Sequence, residues 1–390
     1  MSKCWCTAEA WGTGPISKLS AITALYQHTR QGKFTFISDC NEHFDYFLAP
    51  LKIDSRFQPL AETRTALLPG DCLISVMHPR LALIAKWLGL KVLYVDSLAW
   101  FWKIWDEVDL FYYTKFLDLV SPEKTSFQDL MAVLRYANLY DLHWAAHIAV
   151  DMSAIQRFIE PSAVASMILN YSNAVHQIGA IVDPRLDSST PVDESVVVVS
   201  LGGSHANPLY VRWSSEVFSR VAVERPDYFF YLVQPGPVPK FTSIRSNLVL
   251  DTRPRANYLE LLNKAGRVYS PPGLTFFLES CVLGHTLTLL PPQHAGQQKN
   301  MVVLTRSVPE LIALHWPYKN MSTEAIVSTV GQELKSSHAL DKTARIILES
   351  WNTVHQRGDN QHIQDFLQSI GTNGAAEAAA LFESLCNESL

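Results

Sequence analysis

Short apolar runs alternate with helix-forming segments along the first hundred residues of the chain. Apolar runs that alternate with helical segments at this spacing are typical of a mostly parallel sheet covered by helices. The predicted strands span about 3–8, 34–38, 72–77 and 91–95, and the predicted helices span about 17–29 and 81–88.

A polar segment near mid-chain, residues 183–195, separates this series from a second one. It contains two prolines and lacks strand or helix periodicity, which is typical of a linker. We therefore predict two α/β domains, an N-terminal one over 1–185 and a C-terminal one over 186–390, with the final helices as candidates for packing back on the first. The second series predicts strands at about 196–200, 228–233, 248–250, 267–269 and 286–290, helices at about 209–223, 256–264 and 274–283, and a helical end from about 325 onward.

Composition restricts the class of protein. Of the 390 residues, 48% are hydrophobic and 18% are charged, which excludes an intrinsically disordered chain. The formal net charge of −5 argues against a nucleic-acid binder, whose affinity would rest on lysine and arginine at phosphates. The chain has neither a run of about 18 apolar residues nor an apolar stretch behind a basic N-terminus, so we expect no transmembrane segment, no signal peptide and a cytoplasmic location.

Neither the cysteines nor the histidines predict a metal site. The six cysteines include no Cys-x-x-Cys pair, so we expect buried thiols rather than a zinc site or a disulfide framework. His143 and His147 stand four residues apart on a predicted helix, a spacing that can bind a metal. The glutamate of a zinc protease and a third ligand are missing there, which favours a helix surface or an interdomain packing pair.

Glycine turns follow two predicted strands of the second half. Gly202-Gly203-Ser204 follows the strand at 196–200, and Pro272-Gly273-Leu274-Thr275 follows the strand at 267–269. A turn that opens a helix at the carboxyl end of a parallel strand can hold a phosphate, because the N–H groups and the helix dipole favour negative charge there. Plain turns are the alternative, since glycine is the commonest turn residue.

The order and spacing of residues 269–300 resemble the donor-binding block of GT-B glycosyltransferases. The likeness is to the peptidoglycan N-acetylglucosaminyltransferase that completes lipid II, and more distantly to the plant and macrolide UDP-glycosyltransferases. It covers residues 196–302 well and the first half loosely. The matching positions are Gly273, Thr275, Glu279, Gly284, Pro291, Gln293-His294 and Gln297-Gln298, together with the upstream turn Gly202-Gly203-Ser204.

This resemblance implies two Rossmann-like domains facing each other across a cleft, with a UDP- or TDP-sugar as co-substrate and no other cofactor. Gly273 and Thr275 would hold the diphosphate, and Ser204 would contact phosphate or base. Glu279, about 1.7 turns past Gly273, would accept hydrogen bonds from ribose hydroxyls. The remaining expected donor-binding residues are Gly14, Gly202, Gly203, Leu274, His294, Gln297 and Gln298, of which the two glutamines would bond sugar hydroxyls. No Asp-x-Asp stands at a strand end, so we expect metal-independent transfer. We also expect the transfer to be inverting.

The first glycine turn departs from the family pattern. The family presents a histidine there as general base, whereas this chain has Pro15 or Ile16. Acidic residues and a histidine at predicted strand ends are the substitutes, with Asp96 the first choice and His78 the second. Turn or capping roles are the alternative for each. The four residues considered as substitutes for the histidine base are Glu9, Asp39, His78 and Asp96.

The acceptor is the least defined partner. Seven aromatic residues between 99 and 113 predict either core packing or a platform for an aromatic or lipidic small molecule. Three functions follow from the fold: a glycosyltransferase, a nucleotide-sugar hydrolase or epimerase, and a non-catalytic nucleotide-sugar-binding subunit. The first is our prediction. The sequence leaves a homodimer open.

Overall fold

The structure is a computed structural model that describes residues 3–9, 13–29, 34–38, 47–48, 56–58, 66–97, 147–151, 175–202, 207, 209–235, 240–285, 287–308, 312–313, 321–351 and 361–387. Within these ranges the chain forms two seven-stranded sheets flanked by helices, which is the α/β class that the sequence predicts. None of the described helices is long and apolar enough to cross a membrane.

The first sheet is parallel at every strand pair and has the order β3-β2-β1-β4-β5-β6-β7. Because the strand order reverses between β1 and β4, the carboxyl ends of these two strands border a crevice, where open α/β sheets bind their ligands. The strands are β1 Cys4–Ala8, β2 Phe34–Ile37, β3 Arg56–Gln58, β4 Cys72–Val76, β5 Lys91–Asp96, β6 His147–Asp151 and β7 Val175–Ile178.

The second sheet has the order β10-β11-β9-β8-β12-β13-β14. All its pairs are parallel except β10 with β11, which is a hairpin. Its order reverses between β8 and β12, the two strands that lead into the predicted phosphate turns. The strands are β8 Asp193–Ser200, β9 Phe229–Pro235, β10 Lys240–Arg245, β11 Leu248–Arg253, β12 Ala265–Ser270, β13 Thr288–Leu289 and β14 Ile312–Ala313.

Ten described helices pack on these sheets, and four begin at residues whose side chains cap the first turn: His78, His294, Ser322 and Ser336. The predicted helical end of the chain contains the last four of them. The helices are α1 Gly14–Thr29, α2 Pro79–Trp87, α3 Tyr210–Glu224, α4 Arg255–Lys264, α5 Leu274–Val282, α6 Ala295–Ser307, α7 Thr323–Glu333, α8 Ser337–Ser350, α9 Gln361–Ile370 and α10 Gly374–Asn387.

The last helix, α10, packs on the first sheet and not on the second. Its Phe382 is buried between Tyr26 of α1 and Phe34 of β2, with ring centroids 5.4 and 5.8 Å away. At its start, Gly374 lies against Gly179, just after β7, so closely that no side chain fits between them. The C-terminus of the chain therefore completes the hydrophobic core of the first half.

The structure corrects one sequence-based prediction. His147 begins strand β6 and does not lie on a helix, so the proposed pair with His143 at one helix face is wrong. His143 and the aromatic segment 99–113 lie outside the described residues. No disulfide joins the described cysteines, which are Cys4, Cys6, Cys72, Cys281 and Cys386.

Candidate functional site

A cavity of about 240 Å³ lies between the two sheets. Its walls come from both halves of the chain, at the strand ends where each sheet reverses its order. The first half contributes residues from the end of β1, the start of α1 and the segments after β4 and β5. The second half contributes the turns after β8 and β12 and the N-terminal parts of α4, α5 and α6. Among the predicted donor-binding residues, those that line the cavity are Gly14, Gly202, Gly273, Leu274, Thr275, Glu279, His294 and Gln297.

The turn from β12 into α5 presents an open helix N-terminus to this cavity. Gly273 is the N-cap in extended conformation, and no described side chain caps the helix. A Cβ at Gly273 would lie 3.9 Å from its nearest neighbour, so the approach to the backbone is unobstructed. The N–H groups of the first turn and the helix dipole therefore favour an anion at this end of the cavity.

The turn after β8 reaches the same cavity. Gly202 has a φ of +59°, a conformation that favours glycine, and its Cα faces Pro271 of the β12 turn. Gln293 donates from Nε2 to the carbonyl of Leu201, and this bond ties the start of α6 to the β8 turn. Gly203 and Ser204 lie outside the described residues, so their predicted contacts stay predictions.

The two glutamines at the start of α6 differ in position: one lines the cavity and the other is buried outside its lining. Gln297 lines the cavity and accepts a hydrogen bond from the backbone N–H of Gln293 at 2.7 Å. Gln298 is buried outside the cavity lining, and its Nε2 has no partner in the described part of the chain. His294 caps α6 by accepting from the Gln297 N–H through Nδ1, and burial lowers its pKa. A neutral imidazole at this N-cap is the form that can accept that bond.

Glu279 is buried at the floor of the cavity and is held by Arg255, a residue that the sequence analysis did not single out. Arg255 Nη2 contacts Oε1 of Glu279, and Nη1 donates to Oε2 at 3.3 Å. Burial raises the pKa of Glu279, and the adjacent guanidinium opposes that rise. The predicted ribose-binding carboxylate therefore has a buried cation as its direct partner.

A second carboxylate completes this buried network. Asp183 Oδ2 lies 3.5 Å from both Nε and Nη2 of Arg255. Arg185 donates to both oxygens of Asp183, at 2.8 and 2.7 Å. Burial alone would raise the pKa of Asp183, but the two guanidinium groups lower it below its ordinary value. Two cations and two anions thus balance beneath the cavity.

The first half of the chain supplies the opposite wall. A Cβ on Gly14, the first residue of α1, would lie 3.2 Å from the Thr275 hydroxyl, so the N-termini of α1 and α5 lie close together where both line the cavity. Lys18, one turn along α1, lines the cavity although only 3% of it is exposed. Two helix N-termini and a buried lysine make this region electropositive.

Of the four candidate bases, the structure brings one to the cavity. Glu9, directly after β1, is half-buried and lines it. Asp96 is fully buried at the end of β5 and is not among the lining residues, whereas its neighbour Ser97 is. His78 caps α2, accepting from the Leu81 N–H at 3.2 Å, and is also outside the lining. Asp39 is outside the described residues.

Among the described residues, no group of three or more His, Cys, Asp or Glu side chains is arranged to hold a metal ion. The cavity walls instead carry amides, hydroxyls, one buried ion network and helix N-termini. Such a site can bind a phosphorylated ligand through backbone N–H groups and can hold a sugar or pentose through side-chain acceptors.

Comparison with known proteins supports the same architecture. No family model and no curated protein sequence matches the chain. Solved structures do match. One is UGT2 of Phytolacca americana in complex with UDP-2fluoro-glucose and pterostilbene, at 15% identity over 98% of this chain and 100% of that chain, with a TM-score of 0.52. Another is UGT89C1 of Arabidopsis thaliana in complex with quercetin, at 13% identity over 99% of this chain and 100% of that chain, with a TM-score of 0.55. The spinosyn forosaminyltransferase SpnP is also similar (11%, 100% of both chains, TM-score 0.52). Two parallel sheets facing each other across a cleft, together with these likenesses, show that the chain has the predicted GT-B fold.

Proposed function

We propose that the chain is a glycosyltransferase that moves a hexose or amino sugar from a UDP- or TDP-sugar to a small-molecule acceptor. One observation carries the proposal: Gly202, the turn 273–275 and Glu279 line a single cavity between the two sheets, although nearly eighty residues separate the first from the last. Structures of the same fold have been solved with UDP, a UDP-sugar analogue and aromatic small molecules.

The donor would lie against the second half of the chain. The N-terminus of α5 would receive the diphosphate at Gly273 and Thr275, with Lys18 adding charge from the opposite wall. Glu279 would accept from ribose hydroxyls, and Gln297 would bond the sugar. These groups neutralise a departing nucleoside diphosphate with fixed dipoles and a lysine, so the proposed transfer needs no metal ion.

The acceptor would enter from the first half. Glu9 is placed to take the proton from the acceptor hydroxyl, whose oxygen then attacks C1 of the sugar while the bond from C1 to the diphosphate oxygen breaks. We propose that the transfer inverts C1, which requires the acceptor oxygen to attack the face opposite the bond to the diphosphate. We propose that the acceptor is an aromatic or lipidic small molecule. We also propose that the enzyme acts in the cytoplasm.

Nucleotide binding tests the donor half of this proposal. At a UDP or TDP concentration of a hundred times the dissociation constant, linkage adds about 2.7 kcal/mol, which would raise the melting temperature of a chain of 390 residues by roughly 3 °C. Glu279→Ala should remove that rise, whereas Glu260→Ala, at an exposed position on α4, should keep it. No rise with any nucleotide in the wild-type chain would contradict the proposal.

One observation favours a second function on the same scaffold. Pro15 and Ile16, which stand where the family has its histidine, are buried in α1 and offer no base. A nucleotide-sugar hydrolase or epimerase would need no acceptor alcohol to be activated. Incubation with UDP-sugars in the absence of acceptor separates the two: free sugar or a new epimer supports the second function, and product formed only with an acceptor supports transfer.

A further inference from the structure

We propose that Arg255 positions the Glu279 carboxylate as the hydrogen-bond acceptor for the ribose hydroxyls of the donor nucleotide. The inference rests on the function proposed above and assigns a role to a residue outside the motif that predicted the donor site. Both side chains line the cavity, and their exposed fractions are only 5% for Arg255 and 2% for Glu279.

The contact between the two groups fixes both carboxylate oxygens. Each oxygen of Glu279 is held by a different terminal nitrogen of Arg255. A carboxylate oxygen has about two acceptor directions, so one direction on each oxygen remains for a ligand. A pair of neighbouring hydroxyls, as in ribose, matches a carboxylate whose rotation is prevented in this way.

The guanidinium is itself anchored on its other side. Asp183 lies 3.5 Å from two of its nitrogens, and the ring of Tyr258 lies 5.5 Å from its central carbon. Arg255 is also the first residue of α4, where Pro254 sets the entry of the chain. Moving Arg255 toward a phosphate would leave Asp183 and Glu279 buried without their shared cation, which is costly. We therefore assign it to Glu279 and not to the diphosphate.

The charge of Arg255 also decides the protonation state of its partner. The charged groups that act on Glu279 are Arg255, Asp183 and Arg185, of which Arg255 has the strongest effect. Without Arg255, burial and the repulsion from Asp183 would raise the pKa of Glu279 further. A protonated carboxyl donates one hydrogen bond and loses part of its accepting capacity, so it no longer suits two donating hydroxyls.

The test measures selectivity for the ribose hydroxyls against pH. Affinities for UDP and for 2′,3′-dideoxy-UDP are determined by calorimetry between pH 6 and 9 in the wild type, Arg255→Met and Arg255→Lys. The wild type should prefer UDP by at least about ten- to a hundredfold, the value of one hydrogen bond to a charged group. Arg255→Met should lose that preference at pH 7 and recover it as the pH rises, because Glu279 ionises only there. Arg255→Lys should retain it at pH 7.

Two results would overturn the inference. Arg255→Met could weaken UDP and the dideoxy analogue equally at every pH, which would indicate a phosphate contact, or it could keep the wild-type preference. If Arg255→Met does not fold, Arg255→Gln, which retains polar packing without the charge, replaces it with the same expected pH dependence. Failure of the wild type to bind UDP would overturn the proposed function, whereas binding with unchanged selectivity in the variant would overturn this inference alone.

Discussion

Replacing Phe382 by alanine tests whether the C-terminal helix stabilises the first half of the chain. The side chain is 1% exposed and packs between Tyr26 and Phe34. Removing a buried phenylalanine ring costs about 3–5 kcal/mol through lost burial and the remaining cavity. Because about 1.4 kcal/mol corresponds to a tenfold change in an equilibrium constant, amide exchange that proceeds by opening of this core should accelerate roughly 100- to 3000-fold.

Hydrogen exchange read by mass spectrometry locates the effect. Peptides that cover β1, β2 and β4 should lose protection, and peptides that cover β8 and β9 should not. Phe366→Ala is the matched control, because Phe366 lies on α9 in the core of the second half and should give the opposite pattern. Faster exchange confined to the second half in Phe382→Ala would refute the assignment of α10 to the first core.

The remaining predictions concern the tight contact at Gly374, the proposed base Glu9 and the buried ion network at Asp183. Gly374→Ala should destabilise the chain by at least about 1–3 kcal/mol in denaturant unfolding, since a Cβ there overlaps the Gly179 backbone, whereas Gly331→Ala, whose Cβ would meet only a flexible leucine tip, should be close to neutral. Glu9→Gln should abolish sugar transfer in a product assay while the melting-temperature rise with UDP persists. Because the folded-state pKa of Asp183 is lowered, its ionised form stabilises the fold above the unfolded pKa near 3.8, and that stability is lost as the pH falls. Asp183→Asn should therefore be about 2 kcal/mol less stable at pH 7, and its difference from the wild type should narrow in thermal melts below about pH 4.

The roles expected for the site residues came from the family resemblance, and local spacing accounts for the relative positions of those on one turn and helix. Gly273, Thr275 and Glu279 stand on one turn and the helix that follows it, so their relative positions follow from helix geometry. The strands β1, β2, β4 and β5 were predicted from largely apolar runs that the sheet buries on both faces, and β8 from the apolar run at 196–200. Such runs can be recognised in the local sequence, because a parallel strand buried on both faces is predominantly apolar.

Segments with mixed polarity were not predicted. Strands β6, β7 and β10 contain histidine, glutamine, lysine or arginine within four to six residues. Strands β7 and β10 stand at the edges of the described sheets, each hydrogen-bonded to a neighbouring strand on one side only, so polar residues are tolerated there and the apolar pattern is weak. The tertiary context, and not the local sequence, selects the strand conformation there.

The sequence by itself determined the fold class and the two α/β series, because both depend on periodicity and turn chemistry over short stretches of chain. The residues proposed to bind the donor were indicated by a resemblance to GT-B glycosyltransferases in the order and spacing of a contiguous block. The tertiary structure alone decided which distant groups meet. It placed Arg255 between Glu279 and Asp183, brought Glu9 rather than Asp96 to the cavity, and packed a helix that begins at residue 374 on the first sheet. Charge pairing and close packing between elements act through space, so they leave no periodic signal in the chain.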